Sequence, residues 1–320
     1  MLFLPNYPSI PFPPIQIHPT SGPLVIVGVN GELCRIDSQS LEALEKHGQP
    51  FPSEITNSAI CEELFVGTWV ESELQQARMA AISLDSGFVC GIDKRELRFS
   101  EKNFEIDCSV KGSKWSHPLD SEPLGIISEN GLICFSNYKR GIYCVDSDSY
   151  EIWRIPEITW PPMSGYSDSE MVRTIAIGTH PQKKGETCIW IWNIIGAWAT
   201  LDWSDGSIIS RGSISTKGEI DMVKSDNEGG WILGLASGEI VRLSGFDLLE
   251  ETITGGPCHD ALFSKGVWYI AGWRQDIQWS KNSVQHVARD ELGVALYQHP
   301  RDGMLVLDNQ GKWTSFGSNN

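Results

Sequence analysis

Apolar positions along this chain fall in short runs bounded by small polar residues, and the runs arrive in groups. In GEIDMVKSDNEGGWILGLASGEIVRLSGFDLLEETI four of them, Glu219–Val223, Trp231–Leu235, Glu239–Leu243 and Leu248–Ile253, are separated by Gly, Ser, Asp and Asn, the punctuation of strands joined by tight turns. The same rhythm runs through PLGIISENGLICFSNYKRGIYCVDSDSYEIWRI and MVRTIAIGTHPQKKGETCIWIWNIIGAWATLDWSDGSIISRGSI. These runs are too short, and too rich in β-branched and aromatic residues, for helices of ordinary length. Asn30-Gly31 and Asn130-Gly131 are hairpin signals, because both residue types accept the positive φ of a two-residue turn. Helical periodicity is confined to ESELQQARMAAIS and SLEALEKHG, which predict two short helices, with a strand edge or loop as the other reading of each.

A second regularity lies above the first. An apolar residue followed by Asp ends a strand-like run at Ile36-Asp37, Leu84-Asp85, Val145-Asp146, Leu201-Asp202 and Leu307-Asp308, and the variant Leu243-Ser244-Gly245 stands between the last two. About six intervals of roughly 45 residues cover the span, the length of a four-stranded propeller blade. The expected fold class is therefore all-β: a β-propeller of seven four-stranded blades near 14–45, 58–92, 123–155, 171–213, 219–253, 258–287 and 290–316, with six or eight as neighbouring counts. Residues 1–13 form a proline-rich N-terminal segment and residues 14–320 a single propeller domain. FVCGIDKRELRFSEKNFEID, after Ser86, reads as an extra hairpin or a re-phased second blade, and the last blade is short of a strand. Closure by a strand borrowed from the other terminus gives Ile15–His18 a structural role.

The Asp-turn-Trp pattern resembles the repeat of the pyrroloquinoline-quinone (PQQ)-like propellers, in which a strand ending in Leu-Asp leads through a Gly-containing turn into a Trp-bearing strand. CVDSDSYEIWRI and VLDNQGKWTSF carry it, with Trp153 and Trp313 at the tryptophan position, while TLDWSDGSII has Ile208 and Ile209 there. The resemblance implies a propeller fold. Quinone-dependent members use vicinal cysteines and a calcium site; no two cysteines are adjacent here, so quinone binding is not carried over and no cofactor is expected. WD40-like propellers are the other family of similar architecture, although regular Gly-His to Trp-Asp spacing is missing and Leu201–Trp203 reverses the order.

Candidate chemistry fares poorly when tested by spacing. As a calcium loop, Asp202 at position 1 places Ser204, Gly206 and Ser213 where ligands belong, and in DSDSYE Glu151 occupies the glycine position. No metal site is expected; Asp202 and its counterparts are read as turn caps that accept backbone N–H groups. Four of the 7 histidines precede proline (His18, His117, His180 and His299), which predicts exposed loops and turns. Cys258-His259-Asp260 looks like a relay, but consecutive strand residues point to opposite faces. A G-x-S-x-G elbow, a P-loop and a dinucleotide fingerprint are all missing. No catalytic residue is assigned.

Charge narrows the class of partner. With 25 basic and 41 acidic residues, a formal net charge of −16 and only paired basic clusters such as Lys94-Arg95, Lys139-Arg140 and Lys183-Lys184, the chain repels polyanions, so nucleic acid is excluded as a partner. A composition of 41% hydrophobic, 10% aromatic and 21% charged residues describes a folded globular chain. No apolar run reaches the length of a bilayer span, the N-terminus lacks a basic n-region, and the 8 unpaired-looking cysteines fit a reducing compartment; no membrane association and a cytoplasmic location are expected. Two expected interblade links, Ser109–Glu122 and Pro156–Glu170, combine aromatics with proline, serine and charge. Their Trp115, Trp160, Met163 and Tyr166, together with Trp273 on a strand-to-strand turn, are the candidate partner-binding residues. The implied function is a noncatalytic protein-interaction scaffold whose acidic, aromatic-bearing loop face meets a protein, one with a basic surface by charge. The alternative is an enzyme or small-ligand binder, for example carbohydrate-directed, with its site in a central channel.

Overall fold

Asn130 and Gly131 both take left-handed backbone, φ 50° and 76°, the geometry that lets two residues reverse a twisted strand. Hairpins of this kind organise a computed structural model that describes residues 7–100, 107–160, 171–245 and 247–318. The fold is a seven-bladed antiparallel β-propeller in which each sheet is made of strands consecutive in sequence. Among the described residues five sheets have four strands and two, the first and last, have three.

One compact unit comprises Met1–Ile152 with His299–Arg301 and Gln310–Lys312. Its first sheet is β1 (Pro14–Pro19), β2 (Leu24–Gly28) and β3 (Leu33–Ile36). Ile15–His18 thus lies in the first strand of the first blade, and the N–H of Ile10, upstream of it, donates to Gly311 C=O at 2.8 Å. The helix expected over Ser40–Gly48 does not form. Leu41 is buried with φ 58°, which interrupts a right-handed helix, and the segment runs beside β3 through bridges Ile36↔Ala43 and Leu33↔Gly48.

The second sheet is β4 (Glu54–Cys61), β5 (Leu64–Glu71), β6 (Gln76–Ser83) and β7 (Ser113–Leu119). The other expected helix, over Glu71–Ser83, is instead a turn and β6. Gln75 at φ 52° reverses the chain, and pairing to strands on both sides satisfies the backbone while Met79–Ile82 is buried. The true helix, α1 (Lys94–Ser100), sits in the insert before β7. Asp93 caps it by accepting from the N–H groups of Arg95 and Glu96, both at 2.8 Å, while Glu96 accepts from Asp93 N–H at 2.9 Å. Leu97 anchors this helix in the core formed with Phe51, Phe65 and Trp69. The link expected over Ser109–Glu122 is mostly β7; its Pro118 is compatible with an outermost strand, where the missing N–H costs no ladder bond. The third sheet is β8 (Pro123–Glu129), β9 (Leu132–Asn137), β10 (Gly141–Asp146) and β11 (Glu151–Ile155).

The other unit comprises Trp153–Gln298, Asp302–Asn309 and Trp313–Asn320. It holds β12 (Val172–Thr179), β13 (Thr187–Asn193), β14 (Ala197–Leu201) and β15 (Ile208–Ser213); then β16 (Ile220–Ser225), β17 (Gly230–Leu235), β18 (Glu239–Ser244) and β19 (Asp247–Ile253). β20 (Asp260–Ser264), β21 (Val267–Gly272), β22 (Gln275–Trp279) and β23 (Val284–Ala288) follow, and β24 (Gly293–His299), β25 (Gly303–Asp308) and β26 (Trp313–Ser315) end the series. Inner strands are buried on both faces. In β13, Cys188, Trp190 and Trp192 enter a cluster with Trp198, Trp231, Leu233 and Leu243, and the intervening Ile189 and Ile191 are fully buried as well. Trp190 lies 4.9 Å from Trp231 and 5.1 Å from Trp198, ring centre to ring centre. Gly178 makes that approach possible: a Cβ there would stand 2.6 Å from the Trp231 ring.

The repeat is written in the backbone too. Register slips by one residue near the start of β1, β4, β8, β12 and β16, between Pro14/Gln16, Ile55/Asn57, Pro123/Gly125, Val172/Thr174 and Ile220/Met222. Each is a β-bulge that sharpens the local twist.

Candidate functional site

The recurrent Asp turns are structural devices. Asp37 Oδ1 accepts from the N–H groups of Gln39 and Ser40, Asp146 Oδ1 from Asp148 and Tyr150, and Asp202 Oδ1 from the N–H and hydroxyl of Ser204. The bonds from Ser204 hold the Asp202 carboxyl below the usual carboxylate range, and those from Ser40 and Gln39 do the same for Asp37. Among the described residues no group of three His, Cys, Asp or Glu side chains is arranged to hold a metal ion.

The apparent relay dissolves into packing. Burial pushes the Cys258 thiol up to about 12, far from a working nucleophile, and His259 is exposed. Asp260 pairs with Lys224 Nζ at 2.7 Å and accepts from Leu296 N–H at 2.9 Å. The His-Pro pairs depart from the expected exposed loops. His18 and His117 lie in β1 and β7, and His180 and His299 are buried. His299 Nε2 meets Gln39 C=O at 2.8 Å, and His180 Nδ1 accepts from the N–H groups of Gln182 and Lys183, both at 3.1 Å. Buried histidines here close turns that a shorter side chain would leave open.

The candidate aromatics occupy unlike settings. Trp115 is half-buried in β7, stacked on His117 with ring centres 5.4 Å apart, and its indole N–H donates to Ser147 C=O at 3.0 Å. Trp160 is buried. Met163 and Tyr166 lie outside the described residues. Trp273 is 40% exposed on the turn between β21 and β22, its ring lying against Gly256, where a Cβ would come within 2.7 Å. A side chain with one face packed on a glycine and the other in solvent is preorganised for contact.

Sequence reasoning did not find a concavity in the first unit. The turn after β5 and residues 120–122 after β7 enclose a cavity of about 420 Å³ lined in part by Gln75, Gln76, Asp120, Ser121 and Glu122. Its apolar wall is Val70, Ala77 and Leu119. Asp120 is held by Arg140 Nε at 3.3 Å, and Ser121 donates its hydroxyl to Tyr138 C=O. Gln76 Oε1 is buried without a donor. The lining carries carboxylates, carboxamides and hydroxyls, which offer a ligand several hydrogen-bond acceptors. The two lining segments are far apart in sequence, and no local motif announces their meeting.

Comparison with solved structures gives the architecture. The chain is similar to the WD40 β-propeller domain of Doa1 at 10% identity, with 97% of this chain and 94% of that one covered and a TM-score of 0.65. It is similar to the β-propeller domain of Cps50 (Swd1) from Myceliophteria thermophila at 10% identity, with 98% and 99% covered and a TM-score of 0.66. Sqt1 of Saccharomyces cerevisiae aligns at 12% identity over 95% and 83% of the two chains, with a TM-score of 0.62. No family model and no curated protein sequence matches the chain. Likeness at this level of identity is a statement about fold.

Proposed function

We propose that residues 14–320 form one propeller domain acting as a noncatalytic protein-interaction scaffold, and that its loops receive a partner with a basic surface. The observation that carries this reading is the cavity beside Asp120 and Glu122, whose unused polar atom, Gln76 Oε1, is an acceptor. A lysine or arginine side chain supplies donors and charge together, and the net charge of −16 steers such a partner toward the chain. In the other unit the exposed Trp273 is proposed as an aromatic contact in its own right, and Trp115, Met163 and Tyr166 are further proposed contacts, each on its own unit. The WD40 architecture of the neighbours supports a scaffold because such a fold holds many loops on rigid sheets.

The test is fluorescence anisotropy with labelled arginine-rich, lysine-rich and glutamate-rich peptides of equal length. The basic peptides bind, the acidic one does not, and Asp120→Asn/Glu122→Gln weakens binding at low salt, with the difference shrinking beyond about 0.5 M salt as screening shortens. Equal binding of acidic and basic peptides, or an unaffected double variant, removes the cavity from the interface.

A further inference from the structure

A second pocket, of about 260 Å³, opens in the other unit where the β12–β13 turn meets β17 and the turn after β18. Trp190, Trp231 and Pro181 form its apolar wall, Gly229 and Gly245 line it with backbone alone, and His180 and Thr179 supply its polar groups. Two features mark it as more than a packing gap. First, His180 is only 6% exposed, yet its Nδ1 is committed as an acceptor to the N–H groups of Gln182 and Lys183. A neutral imidazole that accepts at Nδ1 carries its proton on Nε2, so the ring presents an N–H donor. Among the described residues that donor has no hydrogen-bond partner. Second, the Thr179 hydroxyl is buried and unbonded, a costly arrangement unless something supplies a partner.

Two carbonyls of the lining are already engaged. Thr179 C=O is taken by the Trp190 indole N–H at 3.2 Å, and Gly229 C=O by Gly245 N–H at 2.7 Å. A ligand entering here meets apolar indole surface and two donors. Proline matches this pair of donors and the indole wall, because it brings a ring and a carbonyl and no N–H of its own. The volume lies below the roughly 300 Å³ at which drug-sized sites begin, and suits a one- or two-residue epitope. We infer that this pocket binds a proline-containing segment of a partner protein, with the ring against Trp190 and Trp231 and the carbonyl accepting from His180 Nε2–H and Thr179 Oγ1–H. The inference is separate from the acidic cavity, which recruits by charge and belongs to the other unit.

The experiment uses the full chain and three end-blocked hexapeptides, Ala-Leu-X-X-Ala-Leu, in which X is proline, N-methylalanine or alanine. Proline and N-methylalanine, both lacking N–H, bind, and alanine binds at least about tenfold more weakly. The proline peptide shifts the His180 Nε2–H resonance in nitrogen-resolved NMR. Thr179→Val keeps the side-chain shape and removes the hydroxyl: it weakens the proline peptide roughly fivefold and leaves the melting temperature unchanged or raised, because an unsatisfied buried group has gone. Alanine and proline peptides binding alike, a silent His180 resonance, or Thr179→Val binding as the wild type would each overturn the assignment. Absence of binding by all three peptides at millimolar concentration overturns it as well.

Discussion

The indole N–H of Trp153 donates to the backbone carbonyl of Trp203 at 2.8 Å, and beneath the same ring lies Gly206, where a Cβ would come within 2.6 Å. Trp115 repeats the bond with Ser147 at 3.0 Å. In both cases the accepting residue directly follows a turn aspartate, Asp202 or Asp146. The aspartate therefore shapes a turn whose first carbonyl is held out for a tryptophan from the preceding blade. Gly206→Ala strains a φ of +70° and collides with the ring, and is expected to cost about 1–3 kcal/mol. Trp153→Phe keeps most of the packing and loses the bond, a cost of about 1 kcal/mol. Urea unfolding of the two variants checks the order.

Acid titration separates the capping role from mere surface charge. The carboxyl of Asp202 is lowered from its ordinary value by the Ser204 hydroxyl and N–H. Its contribution is therefore complete above the unfolded value near ~3.9 and disappears as pH falls through the lower native value. Asp202→Asn is expected to lower stability at neutral pH and to lose less on acidification than the wild type. Unfolding free energies at several pH values between neutral and strongly acidic measure both slopes.

Arg289 and Asp276 form a buried ion pair, with Nη1–Oδ2 at 3.0 Å and side chains 4% and 0% exposed. Gly317 N–H also donates to Asp276 Oδ2 at 2.7 Å, and Arg289 donates to the Thr314 hydroxyl at 2.6 Å. Burial raises the Asp276 carboxyl from its ordinary value against the pull of Arg289. Arg289→Met leaves a buried carboxylate without its cation and is expected to cost about 3–5 kcal/mol. Asp276→Leu/Arg289→Met is expected to cost less than the sum of the two single changes. A double-mutant cycle by chemical denaturation decides it.

Trp273 is an exposed member of the proposed contact set. Its exposed face contributes little to folding, so Trp273→Ala is expected to change unfolding stability by less than about 1 kcal/mol. The same change weakens binding of a labelled arginine-rich peptide at this turn by severalfold, since a guanidinium stacks on an exposed indole. Anisotropy and thermal melts on one preparation compare the two effects.

Much of the architecture was legible because it repeats. The Asp turns, the Asn130-Gly131 hairpin and the run-and-turn rhythm are local signals, and local signals recur wherever the unit recurs. The strand from Gln76 to Ser83 reads first as a short helix, with a strand edge as the other reading, because its composition of Gln, Ala, Arg and Met favours a helix when taken alone; two flanking strands override that preference. α1 did carry a readable mark, Asp93 with Glu96 three positions later, hidden in a segment read as strand. The Asp120 cavity and the His180 pocket were not legible. Each forms where turns tens of residues apart meet, and the pre-proline position of His180 says nothing of the two N–H groups that draw its ring inward.

The slipped register at the head of five first strands has a consequence for how this chain can change length. In a regular strand, deleting one residue turns every later side chain to the wrong face. At a bulge the additional residue is already outside the alternation, so its loss straightens the strand locally and leaves the rest in phase. Tolerance of single-residue deletions should thus be concentrated at Thr56, Leu124 and their counterparts, giving evolution and the protein engineer the same small set of expansion joints.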